Sequence, residues 1–577
     1  MPASLPDIDF AWLRSQVIGA DAMIRTPYGE RPMVYADYTA SGRCLLFIEN
    51  YLQSILRIYA NTHTEDDITG RSMTRLLHAA EARIKQAVNA GPDGRVIAVG
   101  TGASGAIDKL QQIIGVAWPP ATRRRVEQAV AECLGPGSER RLIDCLRDTQ
   151  PVVFVGPYEH HSNEISWRQG LATVIETGLA ADGGIDLADL ERLLKLPQYQ
   201  DRPRIGSFSA ASNVTGMRSP VPELAALLHE HGALACFDFA ASAPYVPIDM
   251  NPPPLPGGRD ASLDAIFISP HKFVGGPGSA GLLVFNRRIY DEQLPPTVAA
   301  GGTVDYVSPE GQDFIRDIEE REKAGTPGVL QTIKAAMAFM VKDELGVDRI
   351  EARETELLER ALARWLATPG IELLGNPDPA RRIAILSFNI RCPGGSYLHP
   401  KLVTALLNDL FGIQSRAGCS CAGPYGHRLL GIDMQRSQQY RRWILKGIAG
   451  IKPGWCRVGF HFTMDDLEAD YLIEAVSFLA EHGHRFVGEY DFDLHSGAWT
   501  HRRPPTLPGD LSLEAALRAR GCEQTALPEP ARREIYRACL EEARELAATL
   551  PPGPDGLRLP GELADLQFFT LQRPPAA

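Results

Sequence analysis

Two short apolar runs near the middle of the chain, residues 233–237 and 263–268, each stop at residues that packing alone does not select. Asp238 ends the first, and Ser269-Pro270-His271-Lys272-Phe273-Val274-Gly275-Gly276-Pro277-Gly278 follows the second. Apolar runs this short, bounded by glycine and proline, read as buried strands, and the prolines and glycines keep a helix from starting. A further apolar run, 280–285, follows the turn. Lys272 is therefore expected at a strand end, on a short turn between two buried strands. The pattern predicts an α/β fold with polar residues presented at strand ends.

A lysine so placed can point into a cleft and form a Schiff base. Taken alone, a turn lysine is more often simply solvated. Asp238 changes the reading, because a cofactor that needs an amine for an imine and a carboxylate for a ring nitrogen is pyridoxal phosphate, an electron sink. Elsewhere, a strand expected at 95–99 runs through Gly100-Thr101-Gly102-Ala103-Ser104-Gly105 into a helical pattern at 107–114. Such a turn offers free backbone N–H groups and a positive helix end to an anion, here the cofactor phosphate.

Further motifs are Tyr158-Glu159-His160-His161-Ser162-Asn163, Ser212-Asn213-Val214-Thr215-Gly216, Glu322-Lys323-Ala324-Gly325-Thr326-Pro327 and Ser415-Arg416-Ala417-Gly418-Cys419-Ser420-Cys421-Ala422-Gly423-Pro424. With Asp238 and Lys272, they resemble the class V aminotransferase family of fold-type I pyridoxal phosphate enzymes. The resemblance is nearest to the cysteine desulfurase and selenocysteine lyase branch and runs from about residue 34 to about residue 482.

The resemblance implies a role for each matched position. Lys272 would carry the cofactor, Asp238 would pair with its ring nitrogen, His160 would stack on the ring and move protons, and Asn213 would bond the ring hydroxyl. Ala103, Ser104, Ser269 and His271 would hold the phosphate, and Thr326 would reach the phosphate of a neighbouring subunit in a homodimer. Arg457 would take the substrate α-carboxylate, which a guanidinium fork suits. Ser41, Asn61 and His63 fall where the family brings polar groups toward the substrate. Cys421 aligns with the nucleophilic cysteine that takes up sulfur.

Several positions depart from the pattern. Ala103 stands where a threonine is common, Ala241 where the family has glutamine, Gly459 where it has serine, and Thr463-Met464-Asp465 where it has Tyr-Asn-Thr. The segment between Cys421 and Arg457 is longer than the family's. The implied activity is sulfur removal from cysteine, giving alanine and an enzyme persulfide. Transamination, epimerisation or β-elimination without a catalytic cysteine is the alternative, and a non-catalytic cofactor-binding interaction protein is the third reading.

At 577 residues the chain exceeds one compact core. The expected division is an N-terminal helical segment (1–30), a large cofactor-binding domain (31–333), a small α+β domain (334–485) and an extension (486–577). Residues 118–150 read as a Pro-, Arg- and Gly-rich insertion. A formal charge of −12 argues against nucleic acid as a partner. The absence of a long apolar run argues against a membrane, and cytoplasmic localisation is expected. The expected partners are a small amino acid, a second copy of the chain and a sulfur-acceptor protein. Ten scattered cysteines form no disulfide framework. Cys419 and Cys421 lack the further ligands a structural zinc needs, so no metal is assigned.

Overall fold

The structure is a computed structural model describing residues 8–62, 64–504, 527–551, 553 and 556–572. His63 and part of residues 511–550, a stretch of the extension whose sequence has helix-like patterns, lie outside the described residues. The chain forms two compact units: one of residues 41–213 and 217–348, the other of residues 1–40, 214–216 and 349–577. This division differs from the sequence-based boundaries. Residues 31–40 group with the C-terminal body, residues 334–348 with the central one, and the extension shares a unit with the small domain.

The central unit is organised by a seven-stranded sheet: β1 (Gly94–Val99), β2 (Val152–Val155), β3 (Thr173–Glu176), β4 (Arg204–Ser209), β5 (Leu234–Asp238), β6 (Ala265–Ile268) and β7 (Gly281–Asn286), in the order β1-β7-β6-β5-β4-β2-β3. The strands from β6 to β3 run parallel, while β7 is antiparallel to both of its neighbours. All residues of β2 and β6 are buried, which is why these segments read as unbroken apolar runs rather than alternating ones. The register places Ser209 opposite Asp238, and Asp238 opposite Phe267. Three strand ends remote in sequence thus come side by side. Helix α1 (Ala103–Ile113) follows β1 and buries Ala106, Ile107 and Leu110 in the core beneath the sheet.

Residues 118–150, read from sequence as an insertion, are largely helical. Most of this stretch is two helices, Pro120–Leu134 and Ser138–Thr149, neither of which buries a residue. Pro120 opens the first, where a missing N–H costs nothing. Gly135 and Gly137, both at positive φ, make the turn between them.

The other unit has a four-stranded sheet made from β8 (Ile371–Leu373), β9 (Ile385–Ile390), β10 (Arg416–Gly418) and β11 (Trp455–Gly459), in the order β8-β9-β11-β10. Val34–Tyr35 pairs in parallel with Ile413–Gln414, which ties the N-terminal residues to this body. The C-terminal helix Glu529–Thr549 sends Tyr536, Cys539, Ala543 and Ala547 into the unit's main core. Tyr536 stacks on Tyr471 with ring centroids 4.3 Å apart. The described part of the extension covers part of this unit's core. Among the described residues, no helix is long and apolar enough to cross a membrane.

Candidate functional site

At the carboxyl ends of β4, β5 and β6 lies a cavity of about 230 Å³ lined by Thr101, Gly102, Ala103, Ser104, His160, Ser209, Asn213, Asp238, Ala241, Ser269, His271 and Lys272, among others. Crevices at this end of a parallel sheet are where such folds bind ligands. Eight of the sequence-predicted site residues meet here: Lys272, Asp238, His160, Asn213, Ser104, Ala103, Ser269 and His271. Lys272 closes a 3₁₀ turn, Pro270–Lys272, directly after β6 and Ser269.

Asp238 is 4% exposed, and its Oδ1 accepts the Ala240 N–H at 2.8 Å. Burial pushes its pKa up, opposed by that N–H and by the Lys272 ammonium. The Asp238 carboxylate is thus buried with one backbone donor and calls for a cation. Burial, helped by the Lys272 charge, lowers His271 to about 4, so its imidazole is neutral at physiological pH.

Gly102 caps α1 with no side chain to take the first amides. The Ala103 N–H donates to Ser269 Oγ at 2.8 Å. A Cβ on Gly102 would stand 3.0 Å from that oxygen, and one on Gly281 would stand 2.3 Å from Gly102 O. The cradle therefore depends on the close backbone approach of Gly281 to Gly102, which only glycine permits, and Gly102 itself leaves little room beside Ser269. His160 Nδ1 accepts the Ser162 N–H at 3.1 Å. Because a backbone N–H can only donate, the neutral ring carries its proton on Nε2. Ser162 Oγ lies 3.1 Å from the same Nδ1 and 2.5 Å from Ser104 Oγ, joining the imidazole to the start of α1.

The other predicted residues lie elsewhere. Ser41 does not line this cavity. Its Oγ donates to His271 O at 3.2 Å, and Gly42 N donates to the same oxygen at 2.8 Å. A Cβ on Gly42 would sit 1.9 Å from Phe273 O, so this loop clasps the Lys272 turn only as glycine. Asn61 and Thr326 are exposed and hydrogen-bond each other at 3.2 Å. In the C-terminal unit, Arg457 on β11 is buried and gives Nη2 to Asp37 Oδ1 at 3.1 Å. Arg416 reaches the other Asp37 oxygen, also at 3.1 Å. Burial lowers the Arg457 pKa against the opposing pull of Asp37, and the Cys421 sulfur also acts on it electrostatically. Cys421 is exposed, and both Ser420 and Cys421 have positive φ, 49° and 56°. That conformation costs non-glycine residues about 1 kcal/mol or more each.

Sequence reading missed two carboxylates. Asp37, four residues before Ser41, orients Arg457. Glu159, quoted in a motif but given no role, lies buried behind Asp238. It accepts Ser209 N at 2.8 Å, Ser209 Oγ at 2.6 Å, Asn163 Nδ2 at 2.7 Å and Gly156 N at 3.1 Å. Burial raises its pKa to about 7 against those donors, with the Asp238 charge adding to the rise. A third acidic group, His78 with Glu81 and Glu320, has its carboxylates taken by Lys323 at 2.8 Å each.

The sequence profile described as Aminotransferase class-V matches residues 143–472, more than half of the chain. The chain belongs to the class-V aminotransferase family. The matched stretch contains His160, Asn213, Asp238, Lys272, Cys421 and Arg457, while Ser41, Asn61, Ala103 and Ser104 precede it. Among curated relatives, a probable cysteine desulfurase of Halalkalibacterium halodurans is 28% identical, covering 68% of this chain and 85% of that protein. One of Streptomyces coelicolor is 26% identical, with 68% and 84% covered. Among solved structures, the cysteine desulfurase of Thermococcus onnurineus NA1 shares the fold with a TM-score of 0.60 at 21% identity, over 78% of this chain and 95% of that one. The cysteine desulfurase CsdA of Escherichia coli does so with 0.60 at 21%, over 82% and 99%. The fold is thus the fold-type I α/β architecture expected from the sequence.

Proposed function

We propose that this family member is a pyridoxal-phosphate-dependent enzyme of the cysteine desulfurase type, taking sulfur from cysteine onto Cys421 and leaving alanine. The observation that carries the reading is the cavity holding the amine of Lys272, the buried carboxylate of Asp238 and the glycine-capped start of α1. The cavity's groups match the cofactor's: an amine for its aldehyde, a buried carboxylate for its ring nitrogen and a helix N-terminus for its phosphate. When bound, the cofactor supplies an electron sink for the pair released at the substrate Cα.

The remaining chemistry falls to the chain's own side chains. Lys272 Nζ takes the α-proton, and the neutral His160 ring, protonated at Nε2, is suited to hand a proton back. Arg457 binds the substrate carboxylate, with Asp37 orienting its guanidinium. The Cys421 thiolate attacks the substrate sulfur; the new S–S bond forms as the substrate Cβ–S bond breaks, and the Cβ and then the Cα each take a proton to complete alanine. The exposed, strained loop under Cys421 suits a sulfur carrier that must deliver its cargo to an acceptor protein. Thr326, exposed in a single chain, is assigned to the site of a second copy in a homodimer.

The test is product analysis of the purified protein supplied with pyridoxal phosphate, single amino acids and a thiol reductant that releases the persulfide sulfur as sulfide. Sulfide and alanine from cysteine in equal amounts are expected. A keto acid or a racemised amino acid as the main product would replace this reading with transamination or epimerisation.

A further inference from the structure

The long segment between Cys421 and Arg457 builds a second cavity, of about 280 Å³, that the reaction above does not use. Its wall starts at Cys419 and Gly423, on the Cys421 loop, and continues through the helices Gly423–Leu429 and Met434–Ile444 to Trp455 on β11. Leu430, Ile432, Tyr440, Ile444, Leu445 and Pro453 give it an apolar lining. The C-terminal residues Leu563 and Leu566 pack with Tyr440 and Ile451. The helix Met434–Ile444 is thus held against the C-terminal residues rather than left to collapse into the space.

Two observations say what kind of molecule the space suits. The first is charge. Arg442 pairs with Glu562, Arg436 bonds Asp565 O, and Lys446 lies over the Trp443 ring. Arg441 and Lys452, the two cations that line the cavity, have no anionic partner among the described residues, although the chain carries a net −12. The second is the apolar lining itself. An apolar lining with two unmatched cations at it is complementary to an amphipathic anion. The volume lies just below the range of about 300–1,000 Å³ usual for ligand sites, so the occupant is small.

We propose that this cavity is an accessory binding site for a small amphipathic carboxylate, with its apolar body among Leu430, Ile432 and Ile444 and its carboxylate between Arg441 and Lys452. The inference does not depend on the desulfurase reading, because it concerns binding alone. A bound molecule would press on Cys419, so the site can pass a signal to the loop that carries Cys421.

The test uses the full-length protein and octanoate as probe, with octanol as the uncharged control. Calorimetric titration should show one saturable site for octanoate, and octanol should bind about tenfold or more weakly. The double variant Arg441→Ala/Lys452→Ala changes two exposed side chains, so the fold is expected to survive, and it should lower octanoate affinity by about tenfold or more. Alkylation mapped by mass spectrometry gives a second readout. Octanoate should slow modification of Cys419 while leaving Cys133 and Cys145, on exposed helices that do not line the cavity, unchanged. No saturable binding, equal affinity for octanol, an unchanged affinity in the double variant, or unprotected Cys419 would each overturn the proposal.

Discussion

The cavity around Lys272 and the loop around Cys421 solve different problems with different materials. The first is set on strand ends whose register fixes which residues meet, and its acids are buried: Asp238 and Glu159 are 4% and 3% exposed. The second is an exposed loop with two successive residues in the left-handed region. Rigid burial lets a protein set charge, because desolvation and fixed donors shift pKa values that water would otherwise hold near their usual range. An exposed loop gives up that control and gains reach. The contrast predicts that changes in the cavity alter chemistry and pH behaviour, whereas changes on the loop alter delivery of sulfur and leave binding intact.

The largest effect is expected at Lys272. Lys272→Ala should lose the visible absorbance gained on incubation with pyridoxal phosphate and should cut turnover by on the order of 10⁴-fold. Retention of full activity would remove the centre of the site assignment. Asp238→Asn comes next, keeping cofactor binding but costing several orders of magnitude in kcat, since the neutral amide no longer favours a charged ring nitrogen. A loss below about tenfold would mean that another group neutralises the ring.

Cys421→Ser tests the loop. It should bind cysteine with unchanged affinity, release no sulfide and accumulate no protein persulfide, whereas Cys133→Ser on an exposed helix remote in sequence should behave as wild type. Sulfide production by Cys421→Ser at the wild-type rate would make the thiol a bystander and favour a lyase.

The smallest effect is on stability. Glu159 has an acid pKa raised by burial from about 4.5 to about 7. Between those values the folded chain holds a proton that the unfolded chain releases, so this residue's contribution to stability falls as pH rises, by up to about 1.4 kcal/mol per pH unit. Glu159→Gln, which has no proton to lose, should flatten the fall in Tm of the cofactor-free protein between pH 5 and 7. Parallel wild-type and variant curves would show that Glu159 does not titrate in that window.

Much of the cavity was legible because its signals are local. A buried strand that ends in Asp238 and a turn that presents Lys272 each stand out without a partner, and β5 and β6 end at the residues expected. Long-range closures were not legible. Nothing near Glu159 in sequence announces Ser209, and nothing near Arg457 announces Asp37, because such bonds are decided by register and packing. The pair formed by Asn61 and Thr326 is of the same kind. At 118–150 composition marked an insertion, and proline and glycine stand at the ends of its two solvent-facing helices. At 529–549 the helical pattern was visible, but not that Tyr536 and Cys539 join the core of the small domain's unit.

One feature of the chain's layout bears on how it is made. The unit that carries Cys421 and Arg457 is assembled from both ends of the sequence, with Val34 and Tyr35 pairing to Ile413 and Gln414. During synthesis the central unit, closed by residue 348, can complete its sheet while the ribosome is still producing the rest. Val34 and Tyr35 must wait unpaired until Ile413 and Gln414 have emerged. This short strand is thus made well before its partner, which makes it a natural place for a chaperone to hold the nascent chain.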